Sequence, residues 1–367
     1  MTSKVRHVLG ISGGKDSAAL AIYLKDKYPK LDIEYYFCDT GKELDETYAV
    51  IKNLEEYLHK KIIVLKGAAK SHEEPFDHFI KYKGKFLPST FNRWCTKNLK
   101  LEPFEKWVGD DPVISYVGIR GDEDREGYIS RKSNIQSIFP YRKNIWSEDV
   151  ISKALKNENI LFLREYYKQH AAKSTLDRIN EIVDTPLSLK FSQVDKLNAL
   201  LSFSISTFNK VVLEYLQTTH YPLSGIKEFP LVDNEDILVR DDIFKILKDS
   251  GVGVPKYYEK VPFEVNGEKG HYSRSRSGCF FCFYQQKIEW VWLYEQHPDL
   301  FQKAMEYEKD GYTWRQDESL KDLSKPERIA QIKEEYIKRS SSNKVKSPYL
   351  LDKLSEAEGE GCAACFI

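Results

Sequence analysis

Residues 5–17 read Val5-Arg6-His7-Val8-Leu9-Gly10-Ile11-Ser12-Gly13-Gly14-Lys15-Asp16-Ser17, and AALAIYLKDKY continues to residue 28. The apolar start predicts a short buried strand. The end, made of good helix formers with apolar spacing, predicts a helix. Between them, two glycines let a backbone come close to phosphate oxygens. The helix start offers unpaired N–H groups and a positive dipole end. Lys15 adds a point charge, and the Ser12 and Ser17 hydroxyls can donate to phosphate. The loop is not a Walker A loop, which needs G-x-x-x-x-G-K-[ST].

The same alternation continues outward. IEYYFCDTG (33–41) predicts a strand, ETYAVIKNLEEYLHKK an amphipathic helix and IIVLKG another strand; VISYVGIRGDEDREGY (113–128) predicts a strand running into a charged loop. Strands alternating with helices imply an α/β fold: a parallel twisted sheet with flanking helices, Rossmann-like. Ligands of such sheets sit at the carboxyl ends of the strands. SGGKDS, CDTG and GIRGDEDR should therefore converge on one crevice. The expected organisation is an α/β domain over 1–145, a helical insertion over 146–228, a cysteine-bearing helical region over 229–325 and a polar tail over 326–367. In the third region a Gly/Ser/Arg-rich loop, EVNGEKGHYSRSRSG, leads to CFFC.

Composition sets outer limits. The 367 residues carry 56 Lys+Arg and 56 Asp+Glu, so the net charge is zero, with 41% hydrophobic residues. That is the balance of a globular protein, and it argues against a broadly basic nucleic-acid scaffold while allowing a local basic patch. No stretch approaches the ~18 apolar residues of a membrane helix, and MTSKVRHVLGISGG lacks a signal-peptide core. A cytoplasmic protein without membrane contact is expected. Six cysteines in 367 residues are too few for a disulfide framework. They group instead as Cys38, Cys95 and two C-x-x-C pairs, Cys279/Cys282 and Cys362/Cys365. Thiolates at that spacing suit an iron–sulfur cluster or zinc. Cys38, at the end of an apolar strand, is expected to be a buried core thiol.

SGGKDS resembles the PP-loop of the adenine-nucleotide alpha-hydrolase superfamily, whose members break the α–β bond of ATP and release pyrophosphate. Further motifs are similar to the phosphoadenosine phosphosulfate reductase family: Asp39-Thr40-Gly41 with Glu43, Arg93-Trp94-Cys95-Thr96-Lys97, Gly118-Ile119-Arg120 with Asp122, Glu123 and Arg125, and Gly278-Cys279-Phe280-Phe281-Cys282. The intact lysine in the loop suggests ATP. With the family-type cysteines, it is most similar to the DNA-phosphorothioation ATP pyrophosphatases of the DndC/SspD type. The resemblance implies ATP and Mg²⁺ as cofactors, an iron–sulfur cluster of the [4Fe–4S] type with zinc as the alternative, DNA as acceptor, a cysteine desulfurase as sulfur donor, and other modification-system subunits as partners.

The candidate residues follow. Ser12, Gly13, Gly14, Lys15, Asp16, Ser17, Asp39, Thr40, Gly41, Gly118 and Arg120 would hold the nucleotide. Lys15, Asp16, Arg120 and Arg125 would act in catalysis, the two arginines by neutralising charge on the α-phosphate. A metal site would use Cys95, Cys279, Cys282 and either Cys362 or Cys365. Alternatively, the tail pair carries a persulfide while the other three hold a cluster. Lys269, Arg274 and Arg276 form a basic loop suited to a phosphate backbone. Other readings are a sulfonucleotide reductase, a tRNA-thiolating enzyme and a non-catalytic ATP- and DNA-binding defence module.

Overall fold

The computed structural model describes residues 4–123, 130, 132–309 and 311–342. Five strands form one sheet: β1 (Arg6–Gly10), β2 (Ile33–Asp39), β3 (Ile62–Lys66), β4 (Val113–Tyr116) and β5 (Ile135–Ile138). Their order is β3-β2-β1-β4-β5, and every pairing is parallel. The expected α/β class is the observed one. β2 and β3 lie on one side of β1, and β4 and β5 on the other. The strand order therefore reverses at β1, and the loops leaving β1 and β4 open beside each other.

Side chains alternate across the sheet as the pleat requires. Leu9, Tyr35 and Phe37 pack with helix α1 (Lys15–Lys27), while Val8, Tyr36 and Cys38 pack on the opposite face with Phe104 and Val108. Cys38 is thus the buried thiol expected, and burial pushes its pKa up to about 12. Ala18, Ala19 and Ala21 make α1 thin enough to lie close on the sheet. The stretch after β5 is helical, as predicted: Glu148–Ala154, Ile160–His170, Lys173–Asp184, Gln193–Phe203 and Ile205–Gln217. Its Leu163, Phe208 and Val212 belong to the same apolar core as Leu9 and Leu20, so that core runs from the sheet into the helices.

A second core surrounds CFFC. Phe281 stacks on Trp314 at 4.7 Å and meets Phe76 of helix α3 (Pro75–Tyr82) at 4.5 Å. Trp290 and Trp292 are buried there.

Three segments differ from expectation. β5 is not visible in the sequence; its four residues, Ile-Gln-Ser-Ile, give too short an alternation to register. Residues 261–272 are an antiparallel hairpin, β6 (Val261–Val265) and β7 (Glu268–Tyr272), instead of a loop. The turn is Asn266-Gly267, both at positive φ, which is the favoured two-residue hairpin turn. The first part of the expected polar tail is a helix, Pro326–Ser342, whose Ile332 is buried in the second core and whose Lys333 pairs with Glu295 at 2.6 Å. Among the described residues no helix is long and apolar enough to cross a membrane.

Candidate active site

The strand–loop–helix junction builds a charged cradle. Gly13 sits at φ +69°, a conformation that favours glycine, and a Cβ there would lie 2.3 Å from the Thr47 methyl carbon of helix α2 (Asp45–Leu58). Gly13→Ala should therefore combine strain with a clash, costing about 2 kcal/mol. The expected result is a lower melting temperature that Thr47→Ser, which removes the methyl, partly restores in the double variant. Equal melting of Gly13→Ala and the parent protein would refute this account.

The loop is held by hydroxyls. Ser12 Oγ lies 3.1 Å from Ser17 Oγ, Gly14 N–H donates to Ser12 Oγ at 3.3 Å, and Ser277 Oγ donates to Ser12 Oγ at 3.3 Å. Tyr257 donates to the Gly13 carbonyl at 2.8 Å, and Tyr141 to the Asp16 carbonyl at 3.1 Å.

Lys15, Asp16 and Arg120 are all buried. Lys15 Nζ lies 2.9 Å from Asp16 Oδ2, and Arg120 Nη1 lies 2.8 Å from Asp16 Oδ1. Burial alone would raise the Asp16 carboxyl, but the two cations outweigh it and hold it below the ordinary carboxylate range. Asp16 is therefore a fixed anion that aligns two cations, and it is not poised to act as a base. Arg120 also pairs with Asp122 and Glu123, at 2.8 and 2.7 Å. Lys15 Nζ lies 5.0 Å from the centre of the Tyr258 ring. Gly118 allows the loop after β4 to approach, since a Cβ there would be 3.0 Å from the Asp16 carbonyl oxygen.

A second cluster stands at the end of β2. Asp39 Oδ1 accepts from Gly41 N–H and from the Tyr48 hydroxyl, both at 2.9 Å, and Lys66 pairs with Asp39 at 3.1 Å. Thr40 donates to Glu43 at 2.7 Å. These groups border a cavity of about 730 Å³ that also takes in Asp45, His72 and Glu73. Between the two clusters runs a narrow cleft lined by Ile11, Ser12, Phe37, Cys38, Lys100 and Ser277.

The C-x-x-C segment docks beside Thr40. Phe280 N–H donates to the Lys42 carbonyl at 2.9 Å, and Cys279 Sγ lies 3.2 Å from Thr40 Oγ1. Burial, with Glu43 nearby, pushes the Cys279 thiol up. Cys279 and Cys282 share one turn, and Cys95 packs against the same apolar core. Yet among the described residues no three His, Cys, Asp or Glu side chains gather closely enough to hold a metal ion. Cys95, Cys279 and Cys282 are not drawn together as such a group, and Cys362 and Cys365 lie outside the described residues. Nor is there a preformed carboxylate cage for Mg²⁺ among them. An Mg²⁺ that arrives with ATP is held largely by phosphates and water.

The nucleotide residues predicted from sequence therefore fall in two adjoining groups, the loop with Gly118 and Arg120, and Asp39-Thr40-Gly41. Arg125 lies outside the described residues. The expected basic loop is corrected. Arg274 is only 1% exposed; its Nη2 donates to the Cys279 carbonyl at 3.0 Å, which leaves it no access to a phosphate backbone. Lys269 sits on hairpin strand β7, and Arg276 lies over the Tyr284 ring at 5.4 Å. Sequence reasoning missed Tyr257, Tyr258, Tyr141 and Ser277. The paired tyrosines after a Gly/Pro stop were the one visible hint.

Residues 6–142 match the family model described as phosphoadenosine phosphosulfate reductase domain. An uncharacterized protein of Methanocaldococcus jannaschii is 33% identical over 165 residues, covering 41% of this chain and 32% of that protein. The tRNA-specific 2-thiouridylase MnmA of Proteus mirabilis is 25% identical over 158 residues, covering 38% of this chain and 42% of that protein. The crystal structure of phosphoadenylyl-sulfate reductase from Candida auris, a phosphate complex, is 18% identical with a TM-score of 0.29, over 39% of this chain and 67% of that one. The chain spans about a third to a half of the length of the curated relatives it matches. The sequence matches support an adenine-nucleotide alpha-hydrolase-like reading of the α/β portion.

Proposed function

We propose that the chain is an ATP pyrophosphatase that adenylates a nucleic-acid acceptor for sulfur transfer. The observation that carries this reading is the buried Lys15–Asp16–Arg120 array at the start of α1, set at the strand-order reversal. Loop N–H groups and Lys15 would hold the departing phosphates, and Arg120 would stabilise charge building on the α-phosphate. An acceptor oxygen attacks the α-phosphorus, the α–β P–O bond breaks and pyrophosphate leaves. Sulfide, supplied by a cysteine desulfurase with a thiol reductant, then attacks the activated acceptor, and AMP leaves with the original oxygen. Fixed geometry and charges already in place lower the barrier without reorganisation.

The finer reading is DNA phosphorothioation, in which a backbone phosphate oxygen is the attacking atom; it is supported by the motif resemblance. A second reading, thiolation of a tRNA base, is supported by the similarity to the 2-thiouridylases. One experiment tests the common core. Purified protein, ATP and Mg²⁺ are incubated with DNA or with unmodified tRNA, and the products are separated. Pyrophosphate and an adenylated acceptor are expected, with AMP released once sulfide is added, and the acceptor that raises pyrophosphate yield identifies the substrate. Release of ADP and inorganic phosphate would overturn the proposal.

A further inference from the structure

A different surface meets the requirements that the 269–276 loop fails to meet. On the far side of the 40–43 turn lies a cavity of about 520 Å³, with Ile80, Phe280, Leu300 and Tyr307 contributing an apolar floor. Three lysines on its edge, Lys85, Lys303 and Lys309, are exposed and make no ion pair among the described residues. The carboxylates Glu74 and Asp77, by contrast, are already engaged by Lys42, and Glu43 accepts from the Thr40 hydroxyl. Among the described residues of the rim, Glu306 is the exposed carboxylate that remains. The lining carries five lysines against four carboxylates, and its exposed side chains outside ion pairs are three lysines against Glu306.

Aromatic rings accompany these lysines. Phe86 and Tyr312, 38% and 49% exposed, meet edge to face at 5.1 Å and tie the segment after α3 to the turn after Lys309. Tyr82 and Phe91 flank them in sequence and are 81% and 90% exposed. An aromatic ring so exposed loses the burial that normally stabilises it, and several on one basic segment make an unusual surface. The run Lys81-Tyr82-Lys83-Gly84-Lys85-Phe86 interleaves charge and ring directly.

The segment also leads toward the catalytic cradle. Arg93, two residues beyond Phe91, lies over the Tyr284 ring at 5.3 Å, and Arg276 lies over the same ring at 5.4 Å. Ser277, next to Arg276, donates to Ser12 of the phosphate loop.

We infer that the surface formed by residues 81–93, 303–309 and 311–312 binds single-stranded nucleic acid, with bases stacked on the exposed rings and phosphates on Lys85, Lys303 and Lys309. Cationic grooves with stacking platforms take single strands because a duplex keeps its bases stacked inside. This inference rests on the proposal that the acceptor is a nucleic acid, and it assigns the acceptor to a particular face.

The test uses fluorescence anisotropy with the full chain and 20-residue oligo(dT), oligo(U) and a DNA duplex. Single strands should bind more tightly than the duplex; preference between dT and U then separates DNA from RNA as the natural source. Phe91→Ala should weaken single-strand binding about tenfold. Lys85→Ala/Lys303→Ala should flatten the salt dependence, by about 0.7 in slope for each phosphate no longer neutralised. All three substituted residues are exposed, so thermal melts should match the parent. Duplex binding equal to single-strand binding, wild-type affinity in both variants, or no oligonucleotide binding at all would overturn the inference. Binding of labelled ATP by the same samples keeps the two readings apart. ATP bound without oligonucleotide refutes this surface alone. Oligonucleotide bound without any pyrophosphate release from ATP refutes the proposed activity alone.

Discussion

Replacing Lys15 by alanine is expected to lower pyrophosphate release from ATP by about 100- to 1,000-fold, the scale seen when one preorganised donor to a developing charge is removed. The structure explains why the loss should fall on turnover more than on folding. Lys15 and Arg120 share Asp16, one on each carboxylate oxygen. When Lys15 goes, the carboxylate keeps Arg120, so no buried charge is stranded. Melting should therefore change modestly while the rate collapses. Lys15→Arg should not rescue, because a planar fork cannot replace a compact ammonium in a buried niche beside the Tyr258 ring. A rate within threefold of wild type for Lys15→Ala would remove the loop lysine from the mechanism.

Arg120→Ala should behave in the opposite way and destabilise strongly, by about 3–5 kcal/mol, as expected when one partner of a buried ion pair is deleted. Arg120 is the common partner of Asp16, Asp122 and Glu123. Its removal takes that shared cation from all three carboxylates at once. The pH dependence follows from the direction of the Asp16 shift. In the intact protein that carboxyl is held low, so its stabilising contribution is present above the ordinary carboxylate range near ~4. It is lost as pH falls through the still lower folded value. Without Arg120 burial is opposed by Lys15 alone, the folded value rises, and acid unfolding should begin at higher pH. Asp16→Asn added to Arg120→Ala should recover part of the stability and remove the pH shift. Superimposable acid-unfolding curves for the parent and Arg120→Ala would contradict this picture.

The two variants separate functions that the sequence leaves merged. Both residues stand out as catalytic candidates because both are cations in motif positions. Only the distances show that Arg120 also holds the loop after β4 against α1, whereas Lys15 is held by Asp16 and supports little else. The hairpin teaches a different lesson. Asn266-Gly267 is a strong turn signal, but the flanking Glu, Lys and His residues hide the alternation of β6 and β7, and the segment reads as a loop. The expectation of an exposed Arg274 fails for the same reason. Once the hairpin forms, Arg274 N–H donates to the Tyr257 carbonyl at 2.9 Å and the side chain is turned inward.

Local chemistry was enough for the central unit. The apolar run of β1, the Gly-Gly-Lys turn and the helix-forming stretch after it specify one strand–loop–helix unit, and repeated alternation specifies a parallel sheet. Those signals lie within a few residues of one another, where backbone preference and side-chain periodicity act directly. Long-range packing set what meets that unit. Tyr257 reaches Gly13 across 244 positions and Cys279 reaches Thr40 across 239, separations at which no local periodicity survives. Burial settled the rest. It turned Arg274 from a surface cation into an inward one, fixed Asp16 as an anion between Lys15 and Arg120, and left the rings of Tyr82 and Phe91 exposed.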